Sequence, residues 1–337
     1  MKAPGVWVWE IRSGQPLTAE LHHPDPVRRA VFSPDGERAA TISLGSAPSD
    51  YLVRLWDARR AISLLRPLGP ADMDVHFSRD GRLLLAADTG IATVWDSMTG
   101  KIIGSPIKET NTANETRSAR FSPDGQLVVI GGYGHQVKVW HITSGSLVSE
   151  LPHKAAVGFA QFSPNGQWVV TTSADTTARL WDWRTGQPLT EPLRHDGEVV
   201  WADVSADSQR VATISRDHTA RIWEASSGKL LHTLPHAEEP YNYNSVQLSP
   251  DGRLVVIASG NTAQIWNSHT GQPMTVPLKH DGRVNSVRFS PDGQRLVTAC
   301  LDGTARIWNV ATGHCVSEPL RHRNRVEIGR ASCRERV

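Results

Sequence analysis

The sequence contains little cysteine, and its cysteines lack the spacing of a metal site. Only three of the 337 residues are cysteine: Cys300, Cys315 and Cys333. Three thiols do not make a disulfide framework and fit a reducing compartment, so we expect a cytoplasmic protein. The 14 histidines are spread along the chain rather than clustered. We therefore expect no metal site and no other cofactor.

Long hydrophobic runs and an excess of one charge are also missing. No apolar run approaches the ~18 residues of a membrane-spanning helix, and the N-terminus lacks the apolar stretch of a signal peptide. The 36 basic residues nearly balance the 34 acidic ones, for a net charge of +2. We therefore predict neither nucleic acid nor membrane as a partner. The glycine patterns of phosphate-binding loops are absent as well.

A regular series of tryptophans dominates the sequence. Successive members are 39 to 47 residues apart, and a phrase close to FSPDG precedes most of them. A fixed period of about 40 residues indicates one structural unit that is repeated along the chain. The series consists of Trp9, Trp56, Trp95, Trp140, Trp181, Trp223, Trp266 and Trp308.

One repeat shows what the unit is. Between Val284 and Leu320, four runs of five to seven β-prone residues, the last of them at 314–320, are separated by Pro, Asp and Gly turns. Such a pattern predicts a four-stranded antiparallel meander. A lone sheet of this kind leaves its faces and edges unprotected, and radial stacking into a propeller protects both. We predict an all-β propeller of seven complete blades, at about 27–68, 72–107, 116–151, 157–193, 199–234, 243–278 and 284–320.

The two ends of the chain depart from the repeat. Residues 1–22 hold an orphan pair of third and fourth strands, Val6–Glu10 and Gln15–Leu21, which we assign to an incomplete eighth blade. Residues 23–326 form the propeller. Residues 327–337 break the pattern and resemble a translated sequencing adapter. We treat that tail as non-native and expect that the sequence is a fragment of a longer natural chain.

Several copies of the repeat resemble a known family. TARLWD at 177–182, TARIWE at 219–224 and TARIWN at 304–309, with the His-x-x-x-Val and SPDG phrases, resemble the WD-repeat β-propellers over residues 6 to 326. The resemblance implies a propeller that presents its rim or top face to a protein or peptide. The phrase GQPLTEPLRHDG at 186–197 is similar to bacterial WD-repeat arrays. Those arrays are often appendages of larger chains that carry a kinase or NTPase domain.

Each good repeat also contains His, Thr, Asp and Trp at constant offsets. A hydroxyl, a histidine and an acid together suggest a catalytic triad. An active site is needed once, however, whereas this set recurs, and a buried indole N–H needs an acceptor. We therefore predict a structural chain from Trp to Thr to His to Asp, as the tetrad of the WD-repeat family implies. The sets are His153, Thr171, Asp175 and Trp181; His195, Thr213, Asp217 and Trp223; and His280, Thr298, Asp302 and Trp308.

Positions that differ between the copies are free to specify a partner. Two such positions fall on the predicted top face and combine aromatic residues with arginine, which is typical of binding hot spots. A second candidate surface lies in a long connection and contains Tyr241 and Tyr243. An alternative is that Phe159 and Trp201 only fill the central channel. The hypothetical partner-binding residues of the top face are Arg29, Tyr133, Phe159, Trp201 and Arg216.

These observations predict a non-catalytic protein-interaction scaffold that is part of a larger multidomain protein. One alternative is a regulatory or sensor appendage of a bacterial kinase or NTPase chain. Another is a propeller enzyme with a site in its central channel, where Asp74 and Asp203 are the plausible acids. The basic tract 321–325 is too short to indicate nucleic-acid binding. The sequence leaves the oligomeric state and the partner open.

Overall fold

The computed structural model of the chain describes residues 6–9, 17, 21–23, 27–44, 51–65, 67–69, 74–88, 90–108, 116–132, 134–236 and 245–321. Within these residues the structure is all β, as predicted, and no helix is formed. In the same part of the chain, no helix has the length and apolar character needed to span a membrane.

Seven antiparallel sheets follow one another along the chain, each with four strand positions. Sheet 1 contains β1 (Val27–Phe32), β2 (Arg38–Leu44), β3 (Tyr51–Asp57) and β4 (Ile62–Ser63). Sheet 2 contains β5 (Asp74–Phe77), β6 (Leu83–Asp88), β7 (Ile91–Asp96) and β8 (Ile107–Lys108). Sheet 3 contains β9 (Thr116–Phe121), β10 (Leu127–Gly132), β11 (Gln136–His141) and β12 (Leu147–Pro152).

The remaining sheets repeat this order. Sheet 4 contains β13 (Val157–Phe162), β14 (Val169–Ser173), β15 (Thr177–Asp182), β16 (Gln187–Pro188) and β17 (Leu193–Arg194). Sheet 5 contains β18 (Val199–Val204), β19 (Arg210–Ser215), β20 (Thr219–Glu224) and β21 (Leu230–Pro235). Sheet 6 contains β22 (Ser245–Leu248), β23 (Leu254–Ser259), β24 (Thr262–Asn267) and β25 (Leu278–Lys279). Sheet 7 contains β26 (Val284–Phe289), β27 (Arg295–Cys300), β28 (Thr304–Asn309) and β29 (Leu320–Arg321).

The hydrophobic core is divided into layers between neighbouring sheets. One layer joins Val170 and Leu180 of sheet 4 to Val211 and Trp223 of sheet 5. Layers of the same make-up join each of the other consecutive pairs of sheets. In each layer the periodic tryptophan of one sheet packs against the sheet that precedes it in the chain. The seven sheets therefore form the blades of a propeller.

The N-terminal pair predicted for an eighth blade lies between the last sheet and the first. Val6 and Leu21 are bridged as antiparallel neighbours, with backbone bonds of 3.3 and 2.8 Å. Val8 and Leu21 pack in a layer with sheet 1. On the other side, Trp9 packs against the core of sheet 7. Trp9 thus takes the position that the tryptophan of every blade takes on the blade before it.

The outer strands differ from the sequence prediction. The expected continuous fourth strand at 314–320 is wrong, because only the bridge of Cys315 to Trp308 and the short β29 pair with β28. Sheet 4 likewise splits its outer strand into β16 and β17. Prolines within these segments lack the N–H that a continuous ladder needs. Without an internal proline, β12 and β21 reach six residues.

Candidate functional site

The top face is defined here as the edge of the ring at which first strands begin and second strands end. In sheet 5 this edge brings Glu198, just before β18, next to Arg216, just after β19, because Val199 pairs with Ser215. The register of β18 shifts between Val199 and Trp201. Such a bulge redirects the side chains that follow it. The bulge therefore lies beside Trp201, an aromatic residue predicted for this face.

Trp201 and Phe159 from adjacent blades form an aromatic pair. Their ring centroids are 4.0 Å apart with an interplanar angle of 33°. Trp201 is half-buried, whereas Phe159 is completely buried. The hypothesis that Phe159 contacts a partner directly is therefore wrong, because packing with sheet 5 covers its ring. Phe159 instead forms the base on which Trp201 rests.

Two arginines predicted for the partner surface are partly exposed and ion-paired. Arg216 Nη1 lies 3.0 Å from Glu198 Oε2, and the Arg216 side chain is 46% exposed. Arg29 Nη1 lies 3.0 Å from Asp74 Oδ1, at an inner strand. Arg216 is thus accessible beside Trp201, while Arg29 is engaged in the channel. Tyr133, Tyr241 and Tyr243 lie outside the described residues.

A buried charge cluster lies on the inner strands of sheets 1 to 3. Asp74 Oδ1 accepts from the backbone N–H of Val75 at 3.1 Å and contacts His76 Nε2 at 2.7 Å and Arg29 at 3.0 Å. Its other oxygen contacts Arg120. Burial alone would raise the pKa of Asp74, but the two arginines outweigh burial and hold that pKa well below its ordinary value. Burial, followed by the Arg120 charge, lowers the pKa of His76 well below its usual range.

The contacts of Asp74 are relevant to the alternative of a propeller enzyme with a site in the central channel. A general base needs an oxygen free to take a proton from substrate. Both oxygens of Asp74 already hold protein partners. The second channel acid, Asp203, accepts from the backbone N–H of Leu248 in the next blade at 2.8 Å. The two acids are therefore used to hold the inner strands together.

The structure brings together each of the predicted sets in sheets 4 and 5. In sheet 4, Trp181 donates its indole N–H to Thr171 Oγ1 at 2.8 Å. The hydroxyl lies 2.6 Å from His153 Nε2, and His153 Nδ1 lies 2.9 Å from Asp175 Oδ2. Asp175 also accepts from the backbone N–H of Lys154 at 3.0 Å. The chain therefore connects the loop before β13 with strands β14 and β15.

The set in sheet 5 has the same geometry. Trp223 donates to Thr213 at 2.8 Å, Thr213 lies 2.8 Å from His195 Nε2, and His195 Nδ1 lies 2.9 Å from Asp217. Burial lowers the pKa of His195 to about 4, although the Asp217 charge opposes this shift. Burial raises the pKa of Asp217, but bonds from Thr219 and other donors bring it well below 3.8. Histidine is therefore neutral and aspartate ionised at pH 7.

Sheet 7 keeps only part of the set. Trp308 donates to Thr298 at 2.8 Å, and Thr298 lies 2.8 Å from His280 Nε2. His280 Nδ1 is buried and has no hydrogen-bond partner among the described residues. Asp302 accepts from the N–H and hydroxyl of Thr304 at 2.8 and 2.7 Å, as the aspartates of sheets 4 and 5 do from the equivalent threonines. The predicted bond between His280 and Asp302 is thus not formed.

In sheets 3 and 6 an isoleucine occupies the threonine position. Register places Ile130 and Ile257 where sheet 4 has Thr171. The indole nitrogens of Trp140 and Trp266 consequently have no acceptor among the described residues. These two blades therefore rely on packing alone at this position.

The outer strands of the sheets carry exposed apolar side chains that were not expected from the sequence. At least one large aliphatic side chain on the outer segment of every sheet is 41% or more exposed. The alternation of apolar residues along the fourth runs was the available signal. The residues are Ile62, Ile102, Leu147, Leu189, Leu230, Met274 and Val316.

Comparison with known proteins gives one family and several relatives. The sequence profile described as WD domain, G-beta repeat, matches residues 14–57, 104–141, 145–182, 186–224, 228–267 and 271–309. These segments cover more than half of the chain. Each ends at the residue after a periodic tryptophan.

Relatives include the apoptotic protease-activating factor 1 of Mus musculus, 31% identical over 88% of this chain and 20% of that protein. The protein of the same name from Danio rerio is 28% identical over 87% of this chain and 19% of its own length. The periodic tryptophan protein 2 of Arabidopsis thaliana is 26% identical over 64% and 24%. The chain thus spans a quarter or less of these three relatives, all of which are eukaryotic.

A solved structure supports the fold. The crystal structure of Ika8, a computationally designed protein, superposes with a TM-score of 0.77 at 23% identity. The match covers 93% of this chain and 92% of that protein. At this identity the likeness concerns architecture alone.

Proposed function

Because this chain belongs to the WD40 repeat family, we propose that it is a non-catalytic interaction scaffold that binds a protein or peptide on its top face. Members of a repeat family share a scaffold and differ in their exposed positions. The fold alone does not name a partner. The proposal therefore rests on the geometry of the top face in sheets 4 and 5.

The observation that carries the proposal is the half-buried Trp201, which rests on the buried ring of Phe159 at 4.0 Å. An aromatic side chain held by a rigid base loses little conformational entropy when it binds a partner. Beside it, Arg216 and Glu198 form an accessible ion pair of 3.0 Å. An aromatic anchor next to a charged rim is the composition of a binding hot spot.

Two further observations favour binding over catalysis. The acids of the channel, Asp74 and Asp203, are engaged with neighbouring strands. The sets of His, Thr, Asp and Trp recur in sheets 4 and 5 with nearly equal distances. A structural bond can recur in every blade, whereas a catalytic group is needed once.

Selection of peptides from a displayed library against the immobilised wild-type protein tests the proposal. Selected peptides are then measured against Trp201→Ala and Arg216→Ala. We expect Trp201→Ala to weaken binding about tenfold or more, because loss of a hot-spot anchor costs about 2 kcal/mol. Thermal unfolding of each variant shows whether the fold is retained.

Val276→Ala is the matched control, because Val276 is 76% exposed on the outer segment of sheet 6. Binding should be unchanged in this variant. Peptides that bind Trp201→Ala as tightly as the wild type would refute the top-face assignment. Loss of binding in Val276→Ala alone would place the partner on the outer wall instead.

The relatives favour a second, compatible candidate. The chain corresponds to about a fifth of the two apoptotic protease-activating factors. We therefore infer that the propeller serves as a regulatory or sensor part of a larger protein, with a kinase or NTPase domain as the expected companion. Sequencing the native gene beyond both ends of this chain is the test. A gene without any further domain would contradict this second candidate and leave the binding proposal standing.

A further inference from the structure

In sheet 7, three side chains with metal-binding atoms meet at one point. One potential ligand atom from each of His280, Cys300 and Asp302 lies within 4.8 Å of the others. His280 and Cys300 are buried, with the histidine 4% and the cysteine 0% exposed, whereas Asp302 is exposed. The group therefore has a buried side formed by nitrogen and sulfur and an accessible side formed by carboxylate.

The orphaned nitrogen of His280 is the second observation. His280 Nδ1 is buried without a hydrogen-bond partner among the described residues, although Nε2 is bonded to Thr298. In sheets 4 and 5 the corresponding nitrogens of His153 and His195 contact aspartate at 2.9 Å. A buried polar atom without a partner is unfavourable, because it has given up its hydrogen bonds to water. Sheet 7 therefore lacks the histidine–aspartate contact that sheets 4 and 5 have.

Cys300 is a residue at which sheet 7 differs from sheets 4 and 5 beside this site. Register places Cys300 where sheets 4 and 5 have Ser173 and Ser215. Each serine hydroxyl accepts from the backbone N–H of the tetrad aspartate at 3.1 Å. The Cys300 sulfur accepts from the N–H of Asp302 at 3.5 Å. The Cys300 thiol also interacts with the Asp302 carboxylate, whereas His280 Nδ1 is left without that contact.

We propose that His280, Cys300 and Asp302 bind one divalent transition-metal ion such as Zn²⁺. The ligands are His280 Nδ1, Cys300 Sγ and a carboxylate oxygen of Asp302. Sulfur, imidazole nitrogen and carboxylate form a ligand set that zinc prefers, and a fourth position remains for water. Around a tetrahedral zinc ion, nitrogen and sulfur ligands lie roughly 3.5 Å apart. The proposed ligand atoms lie within 4.8 Å of one another and would move closer together when the ion binds.

The surroundings of the site are suited to such an ion. Thr298 Oγ1 can accept from His280 Nε2–H, and its own hydroxyl proton can then point to the Arg306 carbonyl, 3.4 Å away. That arrangement leaves the Nδ1 lone pair free for the metal, as histidine ligands with a bonded second nitrogen do. Arg306 is held by Asp281 at 2.8 Å, which offsets its positive charge near the site. Binding replaces the thiol proton by the metal and involves no oxidation or reduction.

Titration of the metal-free full chain with Zn²⁺, followed by calorimetry, tests the proposal. We expect one ion to bind per chain and the melting temperature to rise with the logarithm of the Zn²⁺ excess. Replacement by Co²⁺ should give the thiolate-to-metal charge-transfer absorption of a cysteine ligand. Cys300→Ser should weaken the binding of Zn²⁺ by more than about 100-fold, because it removes a direct ligand and even the loss of an outer-shell partner costs about 10–100-fold.

Cys300→Ser is expected to fold, because it recreates the residue set of sheet 5. The control is the double variant Cys315→Ser/Cys333→Ser, which removes the other two thiols and should keep the Zn²⁺ affinity of the wild type. Absence of one-to-one binding in the wild type would overturn the proposal. Equal affinity in Cys300→Ser, or a cobalt spectrum without thiolate absorption, would overturn it as well.

Discussion

The indole N–H of Trp181 donates a 2.8 Å hydrogen bond to the hydroxyl of Thr171, on the neighbouring strand of sheet 4. Both residues are buried, and the same hydroxyl contacts His153. Thr171→Val keeps the side-chain shape but removes the acceptor. We expect the free energy of unfolding to fall by about 1–3 kcal/mol, since a buried donor is left unpaired. Chemical denaturation of the purified variant measures this loss.

The adjacent residue provides the control for that substitution. Thr172 is completely buried, and its hydroxyl has no hydrogen-bond partner among the described residues. Thr172→Val therefore removes no bond and replaces an unpaired polar atom with a methyl group. We expect unchanged or slightly higher stability. Equal losses in the two variants would show that the bond in question contributes nothing.

Stability should decrease in mild acid. The pKa values of His23, His195 and His280 are lowered by burial from 6.5 to about 4. Between these two pH values the unfolded chain binds more protons than the folded chain. The contribution of these three histidines to the free energy of unfolding is therefore complete above about pH 6.5 and is lost as the pH falls towards 4.

The tetrad aspartates continue this trend at lower pH. Asp175 and Asp217 have pKa values below their ordinary value of 3.8, because hydrogen bonds outweigh burial. Their contribution is present above pH 3.8 and is lost below it. Urea denaturation between about pH 7.5 and about pH 3, with a chelator present, should show a steady decrease in the free energy of unfolding. His195→Asn should flatten the curve, and a wild-type curve that is already flat would contradict the assignment.

Neutralising the buried acid of the channel should be costly. Asp74 faces Arg29, Arg120 and His76, and its side chain is 2% exposed. Asp74→Asn removes the carboxylate that pairs with the buried Arg120 charge. We expect a loss of about 3–5 kcal/mol in the free energy of unfolding. Equilibrium denaturation of the variant provides the measurement.

An exposed ion pair serves for comparison. Asp196 lies 3.2 Å from Arg221, but its side chain is 89% exposed. Asp196→Asn should change stability by less than about 1 kcal/mol. If Asp74→Asn is as mild as Asp196→Asn, the channel cluster is open to water and does not bind the inner strands together.

A glycine should stabilise the turn between β14 and β15. Thr176 has φ of 67°, in the left-handed region that β-branched residues avoid, and sheet 7 has Gly303 with φ of 82° at the corresponding position. Thr176→Gly should raise the melting temperature, with a gain of about 1 kcal/mol. The reciprocal Gly303→Thr should lose a similar amount. A lower melting temperature for Thr176→Gly would rule out strain at this turn.

The repeat predicted the blades well because tryptophan and Pro-Asp-Gly turns recur at fixed offsets. The TARIWN phrase at 304–309, for example, coincides with the third strand of sheet 7, Thr304–Asn309. The outer strands were predicted less well. The run of β-prone residues at 314–320 indicated a strand, but Pro319 has no N–H to donate to a continuous ladder.

The site was only partly predictable. Trp201 was identified from variation between repeats, yet the burial of Phe159 depends on packing from the next blade. The cluster of His280, Cys300 and Asp302, for which we propose a metal ion, was not expected because Cys300 carries no metal spacing in the sequence. Strand pairing and a turn bring it to His280, twenty positions earlier. Linear spacing does not show such a neighbour.

The packing of Trp9 against sheet 7 has a consequence for how the molecule folds. Trp9 shares a core layer with Leu320, at the other end of the described chain. Contacts between distant residues form late, after hairpins and neighbouring sheets have assembled. Refolding should therefore end with a slow step in which an open arc of sheets closes on itself. The same seam is where the ring should open first when the protein is heated or pulled.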